Sequence, residues 1–382
     1  MTPSWDRRTF LKSAAAFAAL GMFPNAYAAD NPINLHPSPR KKTPRLVRGA
    51  FFYPPEQVVL EGQCEDSWSK HQWFTWPGNQ FRFAEQQAKF AARLKEMTAD
   101  LDITLAMDET SIYTDAGIQA FIADVQAKQP DALLLINFYN SFSKKLYPIL
   151  DAYDGPIILY HALGANHQLP PERFRTEKCM RYIHSVEHWE ALEHGLRAVH
   201  AKCRMRQSKL LRVSSELTEE ADDREVFFDM PSHTVHAAYF DDLFDATQVT
   251  DDMRRLARTV RRKARRVADL SDQAFLDAVR AHAAVLQLME QHDADAITLQ
   301  CLFLKHRKPC LSFSINNGAL VPCGCENDLN ATLTLMLGAN LFGRGGFQHN
   351  PEFDTEENLY FGSHCTCLTR LHGPDEAPSP YA

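Results

Sequence analysis

Two continuous apolar runs constrain the fold more than any other feature of the sequence. Residues 132–138 read ALLLINF and residues 156–160 read PIILY, each of strand length. Segments of helical periodicity precede and separate such runs, for example residues 115–128, whose apolar positions fall on one helix face. Strands that are apolar throughout are buried on both faces, which is typical of parallel sheets covered by helices. Residues 45–165 are therefore predicted to form a doubly wound α/β domain.

The second half of the chain continues this alternation of helical and strand-like patterns. The predicted helices cover residues 187–203, 251–269, 272–292 and 329–341, and the predicted strands include residues 296–304 and 310–315. This order predicts a second doubly wound, parallel-sheet α/β domain over residues 166–345. Residues 346–382 follow it as a short C-terminal segment.

The N-terminus has the layout of an export signal. A pair of arginines precedes an apolar run over residues 13–23 and an Ala-Tyr-Ala cleavage sequence. Paired arginines in this position are typical of the bacterial twin-arginine signal, whose machinery exports folded proteins. The run is well short of the ~20 apolar residues that span a bilayer. We therefore expect residues 1–28 to be cleaved, residues 29–44 to form a flexible linker, and the mature protein to be periplasmic without a membrane partner.

The charge balance argues against a nucleic-acid partner. The chain carries 41 Lys and Arg against 48 Asp and Glu, a formal net charge of −7. One Arg-rich segment, residues 254–266, runs against this trend. Its arginines spread around the predicted helix and acidic residues flank it, which favours a solvated helix face over an anion-binding surface.

The cysteines allow two readings. The chain has nine of them, so at least one thiol stays free or pairs with another chain. Cys323 with Cys325 and Cys365 with Cys367 form two Cys-x-Cys pairs. Together these pairs could supply four soft ligands to a metal, although their spacing is not the Cys-x-x-Cys of common zinc sites. Alternatively they are buried and inert, a common state of cysteine.

Carboxylate and imidazole side chains mark the C-terminal region as a candidate metal site. An apolar run ends in Cys-Glu-Asn-Asp, which places Glu326 and Asp328 just before the predicted helix 329–341. His364 follows a strand-like segment further on. Two carboxylates at a strand end with a histidine suit a hard or borderline divalent ion. Such an ion can polarise a substrate carbonyl or hydroxyl group, so these three residues are the candidate ligands.

The same stretches resemble the L-fucose/L-arabinose isomerase superfamily. The resemblance rests on the Cys-Glu-Asn-Asp-x-Asn run at 325–330, the apolar helix after it, and the later pattern that ends in His-Cys at 364–365. It covers residues 46–370 and is clearest from residue 293 onward. In that superfamily carboxylates and a histidine hold a divalent metal, often manganese, and an aldose is interconverted with a ketose. The resemblance therefore implies a small-molecule sugar as substrate, Mn²⁺ as cofactor and a homo-oligomer.

The resemblance also implies residue roles and a further domain. Glu326 and Asp328 would act as catalytic base and acid, while capping of the following helix by Asp328 remains the alternative. For His364 the alternative to metal binding is a hydrogen bond to backbone. Superfamily members continue into a C-terminal β-rich domain, so residues 346–382 are expected to be the start of such a domain, most of it absent.

One departure from the resemblance keeps several functions open. Superfamily members carry a further acidic residue on the preceding strand, whereas residues 296–325 contain neither Asp nor Glu, and Gln300 or Cys301 fills the corresponding place. Glutamine cannot act as a general base. The hypotheses are a metal-dependent aldose–ketose isomerase, a non-catalytic carbohydrate-binding relative, and a thiol–metal protein built on the Cys-x-Cys pairs.

Overall fold

A computed structural model describes residues 34–55, 57–58, 61, 82–139, 143–162, 169–216, 219–304 and 308–382. The signal expected over residues 1–28 lies outside these described residues. The described strands are β1 (Arg45–Phe52), β2 (Ile103–Met107), β3 (Ala132–Asn137), β4 (Ile157–Ala162), β5 (Met180–Ser185), β6 (Leu210–Ser214), β7 (Ala221–Glu225), β8 (Met230–His236), β9 (Ala296–Leu299), β10 (Cys323–Cys325), β11 (Asn350–Asp354) and β12 (Leu359–Ser363). The described helices are α1 (Phe83–Thr98), α2 (Asp115–Lys128), α3 (Ser143–Ala152), α4 (Glu172–Glu177), α5 (Trp189–Gln207), α6 (Ala238–Ala246), α7 (Asp251–Lys263), α8 (Asp272–Gln291), α9 (Cys310–Gly318) and α10 (Leu329–Phe342). None of these helices has the length and apolar content needed to cross a membrane.

The first five strands form sheet A, in which every strand is parallel to its neighbours. Their order is β2-β1-β3-β4-β5. All six residues of β3 and of β4 are buried, because helices cover both faces of the sheet. Phe90 of α1 and Leu196 of α5 belong to the core on one face, and Phe121 of α2 and Leu150 of α3 to the core on the other. The doubly wound parallel arrangement predicted from the apolar runs is confirmed for this sheet.

The second sheet, sheet B, is mixed rather than wholly parallel. Its order is β10-β9-β6-β8-β7, and β7 runs antiparallel to β8 while the other pairs are parallel. The prediction of a second all-parallel sheet was therefore wrong at this edge. The physical reason is the short turn of residues 226–229, since strands joined by a tight turn must be antiparallel. The sequence of β7, ADDRE, is charged, and all of its residues except Glu225 are exposed, as edge strands often are.

Helix α5 contributes side chains to the cores of both sheets. Leu192 and Val199 pack into the core of sheet A, whereas Met205, near its end, packs with Leu210 and Met336 against sheet B. Residues 35–382 accordingly form one compact unit. Sheet A takes its last strand from residues beyond 165, where we expected the first domain to end.

Two predicted strands differ in the structure. Residues 310–315 begin helix α9, with buried Ser312 and Asn316 one turn apart on its inner face. A short apolar run does not distinguish a buried strand from a buried helix, which explains the error. The other predicted strand, residues 296–304, ends at Leu299 and turns into a short 3₁₀ helix, Cys301–Phe303. That turn places Cys301 at the end of the sheet.

Part of the expected linker packs on the fold. Leu35 is buried, and its carbonyl oxygen lies 3.1 Å from Nε2 of His282 in α8. The ammonium of Lys42 pairs with Asp295 at 2.7 Å. Although the sequence predicts a flexible segment over residues 29–44, its last residues are therefore held against sheet B by specific contacts.

Strands β11 and β12 form an antiparallel hairpin close to the C-terminus. Residues 350–354 pair with residues 359–363, and almost all of their side chains are exposed. The turn between them is held by Asp354, whose carboxylate accepts hydrogen bonds from the amides of Glu356 and Glu357. The hairpin fixes the place of His364 and Cys365, which follow it directly.

Candidate functional site

Three of the four parallel strands of sheet B, which lie side by side, end at one edge, which we call the site edge. β6 ends at Ser214, β9 at Leu299 and β10 at Cys325. Leu299 is in register with Cys325 on one side and with Val213 on the other. Ligands of open α/β sheets bind where the carboxyl ends of parallel strands meet. The residues that follow these three strands are therefore the candidates for contact with a ligand.

Gln300 follows β9, in the place where the resemblance predicts an acidic residue. Its side-chain oxygen accepts hydrogen bonds from the amide and the hydroxyl of Ser215, both at 2.8 Å, and from the Ser214 hydroxyl at 3.2 Å. Its amide nitrogen donates to a carboxylate oxygen of Glu216 at 3.3 Å. This network fixes the orientation of the Gln300 amide. It also brings a carboxylate from the end of β6 to the site edge, where β9 supplies none.

Thiols and an imidazole lie together at the same edge. The Sγ atoms of Cys301 and Cys325 are 3.1 Å apart, and both side chains are buried. The Cys325 sulfur, one ring nitrogen of His364 and the Cys365 sulfur lie within 4.8 Å of one another. Within the described residues, this is the one group of three or more His, Cys, Asp or Glu side chains close enough to share an ion. The site edge therefore holds a group of donor atoms with the proximity that a shared ion requires.

Each Cys-x-Cys pair contributes only one thiol to this group. The sulfur of the buried Cys323 contacts the Asn316 amide at 3.2 Å, and the Cys367 sulfur faces the carbonyl of Leu368 at 3.7 Å. The arrangement in which both pairs jointly supply four soft ligands is thus not formed. All eight cysteines in the described ranges are free thiols.

The contact between Cys301 and Cys325 changes the acidity of both thiols. The hydrogen bond from Cys325 lowers the pKa of Cys301 to about 6, and the backbone amide of Glu326 adds to this effect. The same hydrogen bond, with burial, raises the pKa of Cys325. The two thiols therefore titrate as a pair, in which one sulfur donates the hydrogen bond and the other accepts it.

His364 is buried at the site edge with an unused ring nitrogen. Its side chain is only 3% exposed, and Nδ1 lies 3.1 Å from the Thr366 hydroxyl. Among the described residues Nε2 has no hydrogen-bond partner, and it lies 3.9 Å from a carboxylate oxygen of Glu326. Leaving a buried polar atom unpaired costs about 1–3 kcal/mol, so such an atom calls for a physical explanation. A bound ion is one, because a histidine ligand uses its second nitrogen for an orienting hydrogen bond.

Glu326 sits on a strained turn immediately after β10. Glu326 and Asn327 both have left-handed backbones, with φ of 62° and 56°. For a residue such as glutamate this conformation costs about 1–2 kcal/mol, whereas asparagine adopts it more readily. The turn is held by hydrogen bonds from the Asn327 amide to Leu299 and from the Asp328 amide to Cys325, both at 3.1 Å. The Glu326 side chain is 38% exposed, so its carboxylate is accessible to a substrate.

Asp328 caps the helix that follows the turn. Its carboxylate accepts a hydrogen bond from the Ala331 amide at 2.9 Å and caps helix α10. This is the alternative that the sequence left open. Of the three predicted ligands, the structure brings together Glu326 and His364 and assigns the Asp328 carboxylate to the helix terminus.

The capping of α10 by Asp328 can be tested by substitution. We expect Asp328→Ala to lower the free energy of unfolding by about 1 kcal/mol, because it removes the cap of α10. Asp328→Ser should retain most of the stability, since serine caps equally well. Chemical denaturation measures both. Metal content per folded chain should be unchanged in both variants, and its loss in Asp328→Ser would contradict a purely structural role.

Manganese fits this donor set poorly. Mn²⁺ prefers oxygen ligands, whereas the grouped donors are two sulfurs and an imidazole. Glu326 is the one predicted carboxylate near them, and the Asp328 carboxylate is bound to the helix terminus. The residues at the site edge therefore match a thiophilic ion rather than the Mn²⁺ that the resemblance implies.

Sequence reasoning missed Glu216 and Ser215 entirely. They lie 84 and 85 residues before Gln300 in the chain, so no local pattern connects them. The available signal was their position directly after the strand-like residues 210–213. Cys301 and Cys365 were noted, but nothing in their spacing predicted that they would approach Cys325 and His364.

The chain matches no protein-family model and no curated protein.

Proposed function

We propose that this protein is an aldose–ketose isomerase whose site lies at the site edge of sheet B. The observation that carries the proposal is the accessible Glu326 carboxylate, held on a strained turn 3.9 Å from the unpartnered nitrogen of buried His364. Strain of this kind concentrates at functional sites. The substrate class is a small sugar, as the resemblance in the C-terminal region implies.

Glu326 is the proposed base of the reaction. It removes the proton from the carbon next to the sugar carbonyl, and the electron pair of that C–H bond forms the C=C bond of an enediol. The carbonyl oxygen takes up a proton at the same stage. The neighbouring hydroxyl then loses its proton, and the former carbonyl carbon receives one, which completes the isomerisation without a net change in protons. A metal ion held beside Glu326 would polarise the carbonyl.

Glu216 is the proposed second carboxylate. Gln300 cannot exchange protons itself, but its amide holds one carboxylate oxygen of Glu216 in a hydrogen bond. Ser214 and Ser215 prevent the Gln300 amide from turning, because all three of their donors point at its oxygen. In this proposal the two carboxylates come from the ends of β6 and β10, instead of from β9 and β10.

The proposed base can be tested by a single isosteric substitution. We expect Glu326→Gln to reduce turnover about 100-fold or more, the usual scale for removal of a general base. The measurement is NMR of four- to six-carbon aldoses in D₂O, where both ketose formation and deuterium uptake at the exchanging carbon are visible. Glu216→Gln should lower turnover as well, and Glu190→Gln, an exposed substitution on α5, should leave it unchanged.

A carbohydrate-binding protein without catalysis is the second candidate. Gln300 favours it, because an amide stands where the resemblance predicts an acid. Binding of an aldose that stabilises the chain against heat, with neither ketose formation nor deuterium uptake from D₂O, would establish this candidate and exclude the isomerase. Deuterium uptake that survives in Glu326→Gln would exclude Glu326 as the base.

A further inference from the structure

We propose that Cys325, His364 and Cys365 form a three-ligand centre for a thiophilic divalent ion such as Zn²⁺ or Fe²⁺, with an open position facing Glu326. The inference names the metal class of the site proposed above. It is tested by measuring metal binding directly, so the result does not depend on isomerase activity.

Convergence of the donor atoms is the first support. The two sulfurs and the imidazole nitrogen lie within 4.8 Å of one another although they come from two distant parts of the chain. A tetrahedral zinc site with sulfur ligands at about 2.3 Å needs sulfurs just under 4 Å apart. Small side-chain adjustments would bring these donors to that spacing.

His364 supplies an independent second observation. Its side chain is almost completely buried, and Nε2 lacks a hydrogen-bond partner among the described residues. Nδ1 lies 3.1 Å from the Thr366 hydroxyl and 3.7 Å from the Cys365 sulfur. In the tautomer whose Nδ1–H donates to Thr366, Nε2 presents a free lone pair. This is the arrangement of metal-bound histidines, in which a second residue orients the ring. Thr366 is itself buried, so the orientation is maintained.

The backbone around Cys325 is also held in place. The side chain of buried Gln348 accepts a hydrogen bond from the Cys325 amide at 2.7 Å and donates one to its carbonyl at 3.2 Å. Both backbone polar groups of Cys325 are thus hydrogen-bonded to a single side chain. Rigid positioning of this kind is expected of a ligand, because metal geometry tolerates little displacement.

The number and type of donors define the ion and its role. Thiolate and imidazole ligands select zinc, iron or cobalt over manganese, magnesium or calcium. Three protein ligands leave one position of a tetrahedral ion for water or substrate, as in catalytic rather than structural zinc sites. The nearby Cys301 sulfur, 3.1 Å from that of Cys325, would donate a hydrogen bond to the bound thiolate.

Cobalt substitution tests the proposal on the full chain. After chelator treatment, addition of Co²⁺ should produce sulfur-to-cobalt charge-transfer absorption and the intense d–d bands of a tetrahedral ion, saturating near one ion per chain. Zn²⁺ should displace the cobalt, and Mn²⁺ should not. Cys325→Ser, Cys365→Ser and His364→Asn should each weaken Co²⁺ binding about 100-fold or more, since each removes one of three ligands.

Matched controls separate ligation from folding. Cys367→Ser, in the same Cys-x-Cys pair as Cys365, and Cys179→Ser, on the surface, should bind cobalt like the wild type. Cys365 is exposed, so Cys365→Ser should fold even if Cys325→Ser does not. Absence of charge-transfer absorption in the folded wild type, or its full retention in Cys365→Ser, would overturn the proposal. Cobalt binding through sulfur in a chain that turns over no sugar would uphold this centre and reject the isomerase.

Discussion

Lowering the pH from 7 to 4 is expected to reduce the free energy of unfolding by about 6 kcal/mol, enough to unfold a typical domain. Two buried histidines cause this sensitivity. Burial lowers the pKa of His282 to about 4 and that of His161 to about 3, from an ordinary value of 6.5. Each stays neutral in the folded chain while the unfolded chain takes up its proton below pH 6.5. Each histidine therefore lowers the free energy of unfolding by about 1.4 kcal/mol for every pH unit below 6.5, until its own pKa in the folded chain is reached.

The surroundings of both rings explain why they resist protonation. Nδ1 of His282 lies 2.9 Å from the Ser312 hydroxyl and Nε2 lies 3.1 Å from the Leu35 carbonyl, so the neutral ring is already satisfied. His36 lies close enough to add electrostatic repulsion. His161 lies at the end of β4, near the Asn137 amide at 3.4 Å, and His184 disfavours its charge.

The direction of the effect follows from proton counting. Between pH 6.5 and 4 the unfolded chain binds more protons than the folded one, so stability is complete above pH 6.5 and falls as the pH decreases. His200 and His292 also have lowered pKa values, caused mainly by burial, and add to the same slope. Most carboxylates stay ionised at pH 5, so the histidines dominate the change in the free energy of unfolding between pH 6 and 5.

Urea unfolding at several pH values tests this prediction. Between pH 6 and 5 the free energy of unfolding should fall by about 2.7 kcal/mol or more, and His282→Gln or His161→Gln should each remove about half of that slope. The control His194→Gln replaces an exposed ring on α5 and should leave the slope unchanged. The prediction would be contradicted if the free energy of unfolding fell by less than about 1.4 kcal/mol per pH unit, which corresponds to uptake of one proton. It would also be contradicted if neither His282→Gln nor His161→Gln changed this dependence.

The sequence predicted the core of the fold well because the relevant signals are local. The apolar runs at residues 132–138 and 156–160 needed no partner to be recognised as buried strands, and they became β3 and β4. The helix predicted over residues 329–341 likewise has a local signal and matches α10. Residues 310–315 gave a wrong prediction because a six-residue apolar segment fits either a strand or one face of a helix.

The site was less predictable because it depends on contacts between distant residues. Glu326 and Asp328 have equally favourable sequence positions, and only the hydrogen bond to Ala331 identifies the second as a helix cap. Cys301 approaches Cys325 because residues 296–304 leave the strand after Leu299, which apolar composition alone did not indicate. The sequence therefore locates the site edge but does not select among the polar residues that reach it.

The glycine between Cys323 and Cys325 affects both the stability of the fold and the position of a site residue. Gly324 is the middle residue of β10, and a Cβ added there would overlap the Thr332 hydroxyl of α10 and lie 3.0 Å from the Thr332 Cβ. Thr332 is fully buried and its hydroxyl donates to the Asp328 carbonyl at 2.6 Å, so it cannot rotate away without losing that bond. Strand and helix approach this closely only because residue 324 has no side chain.

Gly324→Ala and Gly338→Ala are therefore expected to change stability in opposite directions. The first should lower the free energy of unfolding by about 1–3 kcal/mol, the usual cost of overpacking. Gly338 lies inside α10 with no atom within 4 Å of its added Cβ, so alanine there should raise stability by about 0.5–1 kcal/mol. Urea unfolding at pH 7 measures both, and equal effects of one sign would contradict the packing argument. Because the clash also displaces Cys325, Gly324→Ala should weaken cobalt binding, whereas Gly338→Ala should leave it unchanged.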